Sequence, residues 1–352
     1  MQCSYLQGAS IFCPQPQAFR KPSFHSSFSV APPQTRKEGS SDYNDVAYND
    51  NFGSEDDILH AISDAKSKFI TSAKNPFVKH CLKLRNDSSY RRYHGSVLVV
   101  GSTPIREIYR FQESSQDNNI KMDCLILPDK TEIPAGLDKS PTSVVRVSST
   151  VMKKLARLQS TDSLDAMALM NIPTSFFSLD DNQDTADCRR WFPSPHRILV
   201  LERIQDPGNL GTLLRSAVAF GWDGVFLLPG CCDPFNDKAL KASRGAAFQL
   251  PIVSGSWIHL ESLIGQFRMK LLGGHPEDEG VAKPVSRMSP GFCDSVSDKP
   301  LCLVLGSEGS GLSEKSMEAC ELVSIPMAGE FESLNVSVAG GIFMYMLQPK
   351  CR

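Results

Sequence analysis

The sequence predicts an α/β fold built from two modules, and three observations carry that prediction. Short strand-like runs alternate with amphipathic helical stretches from near Asp57 to the C-terminus. Three glycine-rich polar clusters in the second half each follow a strand-like run. The charge is also divided. Residues 57–160 carry 17 Lys+Arg against 10 Asp+Glu, whereas residues 161–352 carry 16 against 23. A basic module beside an acidic one implies that a polyanion meets the first and that the second holds catalytic machinery.

Composition narrows the class. A chain that is 41% hydrophobic and 22% charged can bury a core, and no apolar run approaches the ~20 residues of a membrane helix. Its 11 cysteines include the neighbours Cys231 and Cys232 but no C-x-x-C pair. That spacing argues against a zinc site and against a disulfide scaffold, and it suits a reducing compartment; no metal is expected. The first 37 residues contain no Asp or Glu, are rich in Ser and Pro, and carry Arg20, Lys21, Arg36 and Lys37. This is the profile of a cleavable transit peptide, directing the protein to the plastid stroma, with the mitochondrion as the alternative. Residues 38–56 read as a disordered acidic linker, so residues 1–56 are set outside the fold.

The first module is expected over residues 57–178. A helix starts near Asp57 behind acids that suit its N-terminus, and a second runs from Asn75-Pro76 to Leu84. Ser96–Val100, Cys124–Leu127, Val144–Val147 and Met167–Ile172 read as strands, with helices over Thr103–Phe111 and Ser148–Leu158. Residues 179–195, rich in Asp and Pro, form a linker. The second module, 196–352, restarts the alternation. Strands are expected at Ile198–Leu201, Val225–Leu228, Phe248–Val253, Leu271–Leu272, Leu301–Leu305 and Leu322–Ile325. Helices are expected at Gly208–Phe220, Asp237–Ala242, Ile258–Phe267, Ser313–Cys320 and Asn335–Leu347, and residues 274–300 read as a loop. In the first of these helices Leu210, Leu213, Leu214, Ala217 and Val218 make one buried stripe.

The chemistry is concentrated in the three clusters. They are Asp206-Pro207-Gly208-Asn209-Leu210-Gly211 with Arg215, then Leu305-Gly306-Ser307-Glu308-Gly309-Ser310-Gly311, then Ile325-Pro326-Met327 continuing into Ser333-Leu334-Asn335-Val336-Ser337. Taken singly, Asn209 and Asn335 are ordinary helix caps, Glu308 an acid at a helix start, and Arg215 a solvated side chain. Three such loops at the ends of strands are too many for capping alone, and that edge of an open α/β sheet is where ligands bind.

These clusters match, in order and spacing, the three motifs of the SpoU (TrmH-like) branch of the SPOUT RNA methyltransferases, and the second half resembles that family over about residues 196–348. The stretch Lys241-Ala242-Ser243-Arg244-Gly245-Ala246 is similar to a small-residue segment of the family. More faintly, Asn75-Pro76, Lys79 and Arg91-Arg92 resemble the opening of the family's ribosomal-protein-like substrate-binding module. The resemblance implies a C-terminal trefoil-knotted domain, S-adenosylmethionine as cofactor, a homodimer, and methylation of a ribose 2′-hydroxyl. It casts Arg215, Asn209, Glu308, Ser333 and Asn335 as catalytic, and Leu305, Gly306, Ile325, Met327, Leu334 and Asn335 as cofactor-binding.

Arginine stays protonated, so Arg215 is better suited to holding a phosphate and developing alkoxide charge than to taking a proton. The implied RNA partner suits the first module, where Lys79, Lys83, Arg91 and Arg92 are the candidate contacts and Tyr90 and Tyr93 offer stacking surfaces. Organellar ribosomal RNA is the favoured substrate. A transfer RNA methyltransferase and a non-catalytic RNA-binding ribosome assembly factor are the alternatives.

Overall fold

Alternate residues of each strand enter different cores, and this period of two builds two sheets. The computed structural model describes residues 69–115, 121–137, 143–157, 164–180, 187–277, 283–329 and 333–349. The leader and the helix expected near Asp57 lie outside them. Strand β1 (Ser96–Val100) sends Val97 and Val99 to one core and Leu98 and Val100 to another. With β2 (Met122–Pro128), β3 (Ser143–Val147) and β4 (Met167–Asn171) it forms a sheet of order β1-β4-β2-β3. There β4 is antiparallel to both β1 and β2, and β3 is parallel to β2.

Helices cover both faces of this sheet. Helix α1 (Pro76–Asn86) starts at the Asn75 cap with Pro76 in its first turn, where a missing N–H costs nothing. After α2 (Ser88–His94), α3 (Ser102–Ser115) places Ile105 and Ile108 on the face opposite α1. Helix α4 (Ser149–Ala156) joins α1 through Val151, Met152 and Leu155.

The larger sheet is wholly parallel. Its strands are β5 (Phe176–Ser178), β6 (Arg197–Leu201), β7 (Gly224–Leu227), β8 (Ile252–Ser254), β9 (Lys270–Gly274), β10 (Val285–Arg287), β11 (Leu301–Leu305) and β12 (Glu321–Ser324). Their order is β10-β12-β9-β11-β6-β7-β8-β5. The central strands β6, β7 and β11 are buried throughout, as parallel strands covered on both faces must be. Their cover comes from α5 (Pro207–Ala219), α6 (Asp237–Ser243), α7 (Trp257–Phe267), α8 (Pro290–Val296), α9 (Glu314–Ala319) and α10 (Val336–Met346). One continuous core joins Val97, Val99, Ile105 and Ile108 of the first module to Leu199, Leu201, Leu213, Ala246 and Phe248 of the second.

Several segments differ from the sequence reading: helix α2 and strand β5 were not expected, and β5 joins the large sheet although residues up to 178 were expected in the first module. The strand expected at Phe248–Val253 is a 3-10 turn over Ala246–Phe248 followed by β8, because Gly245, at φ +93°, turns the chain and its carbonyl accepts from the Phe248 N–H. The loop expected over residues 274–300 contains β10 and α8; Ser289 caps α8 and Pro290 opens it. Beyond residue 178 the chain is more than a polar connection: Cys188 and Phe192 are fully buried against the large sheet.

Candidate active site

Strands β7, β8 and β5 lie to one side of β6, whereas β11, β9, β12 and β10 lie on the other. This reversal leaves a crevice beyond the strands' C-terminal ends, the general ligand site of such sheets. All three polar clusters emerge at that edge: Asp206–Gly211 after β6, Gly306–Gly311 after β11, and residues 325–335 after β12.

The clusters are tied to one another. Asp206 caps α5 by accepting from the Asn209 N–H at 2.8 Å, which turns the Asn209 side chain loose from capping duty. Its amide donates to Glu308 Oε1, and its carbonyl oxygen accepts from Asn335 Nδ2 at 3.2 Å. Asn335 in turn caps α10, its Oδ1 accepting from the Ser337 N–H at 2.9 Å and from the Ser337 hydroxyl at 2.6 Å. One run of hydrogen bonds, Glu308–Asn209–Asn335–Ser337, thus joins all three clusters.

Beside this run is a cleft lined by Leu305, Gly306, Glu308, Ile325, Met327, Ser333 and Leu334, and also by His275, Gly311 and Phe343. Five of the six candidate cofactor residues line it, while Asn335 stands at its edge as the cap of α10. Gly306 is required by close approach, since a Cβ there would strike the Gly311 carbonyl and come within 2.5 Å of the Leu312 nitrogen. The loop between them is pinned by the Gly311 N–H donating to the Ser307 carbonyl at 2.9 Å. Met327 and Leu334 are apolar yet 37% and 38% exposed. Backbone groups, glycines and uncovered apolar side chains fit a ligand with both a polar and an apolar face, as S-adenosylmethionine has.

Glu202, at the end of β6, was not singled out from the sequence. Its carboxylate is buried and accepts from the Ser313 N–H at 3.0 Å and the Ser316 hydroxyl at 2.7 Å, while its own N–H donates to the Leu305 carbonyl at 2.9 Å. One residue therefore holds both ends of the loop that carries Glu308. Burial pushes the Glu202 carboxyl upward, but the bonds from Ser313 and Ser316 outweigh it and keep the group below the usual carboxylate range. His275 was missed for another reason: it lies in a segment read only as a loop.

Arg215 stands on the exposed side of α5, away from the buried stripe of Leu210, Leu213, Leu214 and Ala217. The candidate RNA residues divide. Arg92 is exposed and Lys79 and Lys83 are half-buried, and Tyr93 is 76% exposed. Arg91 is corrected: it is 2% exposed, and donates to Asp233 at 3.0 Å and to the Leu84 carbonyl at 2.6 Å. Arg85 behaves likewise towards Asp237, at 2.6 Å. Both cations fasten the first module to the second and are unavailable to a phosphate. Tyr90 is also engaged, its hydroxyl 3.0 Å from His80 Nδ1. Burial and the neighbouring His94 lower the His80 pKa to about 4.

Fold and site together define an α/β protein whose larger, parallel sheet carries a cleft at its switch point, the rim built from three hydrogen-bonded loops. Residues 196–345 match the profile described as the SpoU rRNA Methylase family. An uncharacterised tRNA/rRNA methyltransferase of Synechocystis is 30% identical over 283 residues, covering 78% of this chain and 92% of its own. The chain belongs to the SpoU methylase family. A second relative, the 23S rRNA (guanosine(2553)-2′-O)-methyltransferase RlmP of Bacillus subtilis, is 27% identical, with 80% of this chain and 99% of RlmP covered. Among solved structures, an AdoMet-bound rRNA methyltransferase from Sinorhizobium meliloti superposes with a TM-score of 0.60 at 24% identity, over 80% of this chain and 97% of that one. An RNA 2′-O ribose methyltransferase gives 0.59 at 25% identity, over 80% and 98%.

Proposed function

We propose that this protein transfers the methyl group of S-adenosylmethionine to a ribose 2′-hydroxyl of structured RNA, and that the RNA is organellar ribosomal RNA. The observation that carries the proposal is the Glu308–Asn209–Asn335 run at the cleft, which brings the three family motifs into one site. RlmP, covered almost end to end, acts on 23S rRNA and supports a ribosomal substrate. The acid-free, Ser-rich first 37 residues support import into an organelle, the plastid in the first instance.

When bound, the cofactor supplies an electrophilic methyl on a sulfonium sulfur. That methyl would pass to the ribose 2′-oxygen, with the hydroxyl proton going to solvent, to give a 2′-O-methylribose and S-adenosylhomocysteine. The protein's part is alignment and charge. Residues of the Gly306–Gly311 loop and Ile325, Met327 and Leu334 would hold the cofactor. The guanidinium of Arg215 would bind the phosphate beside the target and stabilise charge developing on the 2′-oxygen. Asn209 and Asn335 would keep the Glu308 carboxylate and the three loops in register.

Two further features belong to the proposal. Threading of the C-terminal segment into a trefoil knot is supported by the placement of β11 between β9 and β6, with α10 packed on α5. A homodimer is supported by Val338 and Tyr345, 50% and 60% exposed on α10, although Phe343 of the same helix belongs to the core. Light scattering at micromolar protein would show twice the chain mass. The function is tested by mapping ribose methylation in plastid ribosomal RNA with and without the protein, and by transfer of labelled methyl to that RNA in vitro. Unchanged ribosomal maps together with methylation of transfer RNA would move the substrate; no transfer to any RNA would remove the activity.

A further inference from the structure

The acidic balance of the second module conceals a basic strip. Helix α6 buries Ala239, Leu240 and Ser243 and leaves Lys238 and Lys241 exposed, with Arg244 exposed at its C-cap, three cations spaced three residues apart. The acids around it are already used. Asp237, the one acid in the helix, accepts from Arg85 at 2.6 Å and Lys241 at 3.3 Å, and Asp233 accepts from Arg91 at 3.0 Å. Two buried arginines of the first module thereby cancel the two aspartates that make this stretch look neutral in sequence. What faces solvent is net positive.

Its position gives the strip a purpose. At one end, α6 adjoins the candidate RNA surface, because Arg85, two residues beyond Lys83, holds the first residue of α6. The helix also packs against β1. At the other end it packs tightly on α5. A Cβ at Gly211 would come within 2.7 Å of Ala242 Cβ and 2.9 Å of the Ser243 nitrogen. Gly211 lies between Asn209 and Arg215 on α5, so α6 spans from the basic module to the helix that carries both residues.

We infer that Lys238, Lys241 and Arg244 bind the phosphate backbone of the substrate RNA, carrying it across the seam from the first module to the cleft. The inference rests on the RNA-modifying function proposed above. The ligand is phosphate rather than base: the three side chains are cations on a short helix and its C-cap with no aromatic among them, which gives affinity and salt dependence without sequence choice.

The test compares wild type with the triple variant Lys238→Gln/Lys241→Gln/Arg244→Gln and with the charge-keeping Lys238→Arg/Lys241→Arg. A fluorescein-labelled RNA hairpin is titrated by anisotropy across a salt series, with S-adenosylmethionine binding by calorimetry as the control for an intact cleft. Each lost phosphate contact should flatten the slope of log K against log salt by ~0.7 to ~0.9, so the triple variant should lose about 2 to 3. The arginine variant should keep the wild-type slope, and cofactor affinity should hold in both. A triple variant with wild-type slope and affinity overturns the strip. If instead it loses cofactor binding as well, the change is structural; the arginine variant then decides, because loss of slope there too removes the phosphate role. Wild type that binds RNA with a salt slope yet methylates none overturns the proposed function and leaves the strip standing. Wild type that does not bind RNA at low salt overturns both.

Discussion

The two ends of the large sheet each organise polar groups around α10, and they do so in opposite ways. At the C-terminal edge of the strands, Asn335 caps the start of α10 and donates a side-chain hydrogen bond to Asn209, which holds Glu308 in turn. These groups are at a solvent-facing cleft. At the opposite edge Arg197, the first residue of β6, is 1% exposed. Its guanidinium donates to the carbonyls of Leu347 at 2.7 Å, Ser297 at 2.7 Å, Lys299 at 2.8 Å and His196 at 3.0 Å. Burial pulls its pKa down while Asp223 and Asp298 oppose the fall. The buried end stores stability because its acceptors have no water to fall back on. The open end can lose a bond to solvent at small cost, so its polar groups are available for function.

That contrast is broken most severely at Arg197. Arg197→Met should strand several buried carbonyls, including the one that ends α10 next to the carbonyl of Met344 held by Trp222 Nε1 at 3.2 Å. A loss of about 3–5 kcal/mol is expected in denaturant unfolding. A loss under ~1 kcal/mol would mean that the hub is replaceable. Arg215→Ala is the reverse experiment. It removes an exposed side chain, so stability should stay within ~0.5 kcal/mol, while kcat falls ~100-fold to 1,000-fold, the usual cost of one oxyanion-stabilising donor. Cofactor affinity should be unchanged; wild-type turnover would remove Arg215 from the chemistry.

Asn335 lies between these extremes, since it both caps a helix and touches Asn209. Asn335→Ala should cost about 0.5–2 kcal/mol as a lost cap and should also lower methyl transfer. Asn335→Ser, which can cap but cannot reach with an amide, separates the two roles. Recovered stability with activity still low assigns the amide to the site, whereas recovery of both leaves capping alone.

How much of this was legible follows from the same contrast. The strand Leu301–Leu305 was readable to the residue, because a five-residue apolar run before glycine has few other fates. Asn209, Glu308 and Asn335 were visible as polar residues in glycine-rich loops, although no local pattern states that they bond to one another across 99 and 126 residues of chain. The roles of Arg85 and Arg91 were hidden. In sequence they sit among lysines in a basic run, and only the fold turns them towards Asp237 and Asp233. Helix α8 was lost in a segment of Pro, Gly, Ser and Asp, although Ser289-Pro290 is a helix-start signal. Composition over a long window outweighed two residues of local chemistry.

Glu202 offers the smallest and sharpest test, because it is a buried polar group at the functional end and so crosses the comparison. Glu202→Gln keeps an oxygen that can accept from the Ser313 N–H and the Ser316 hydroxyl, but makes both bonds neutral. Each bond to a charged acceptor contributes roughly 1 kcal/mol more than a neutral one, so with two such bonds stability at neutral pH should fall by up to about 2 kcal/mol. The pH dependence carries more information. The folded carboxyl titrates below its unfolded value of 4.5, so the unfolded chain binds its proton first. The stabilisation is therefore complete above pH 4.5 and is lost as pH falls through the folded pKa. Glu202→Gln should remove that part of the acid destabilisation, making the variant's stability curve flatter below pH 4.5 while the curves stay parallel above it. Glu202→Ala should instead free the Gly306–Gly311 loop and weaken cofactor binding, with Gln restoring most of it. If Gln fails to restore binding, the charge itself is needed at the cleft; if Ala binds cofactor as wild type does, the loop holds its shape without Glu202.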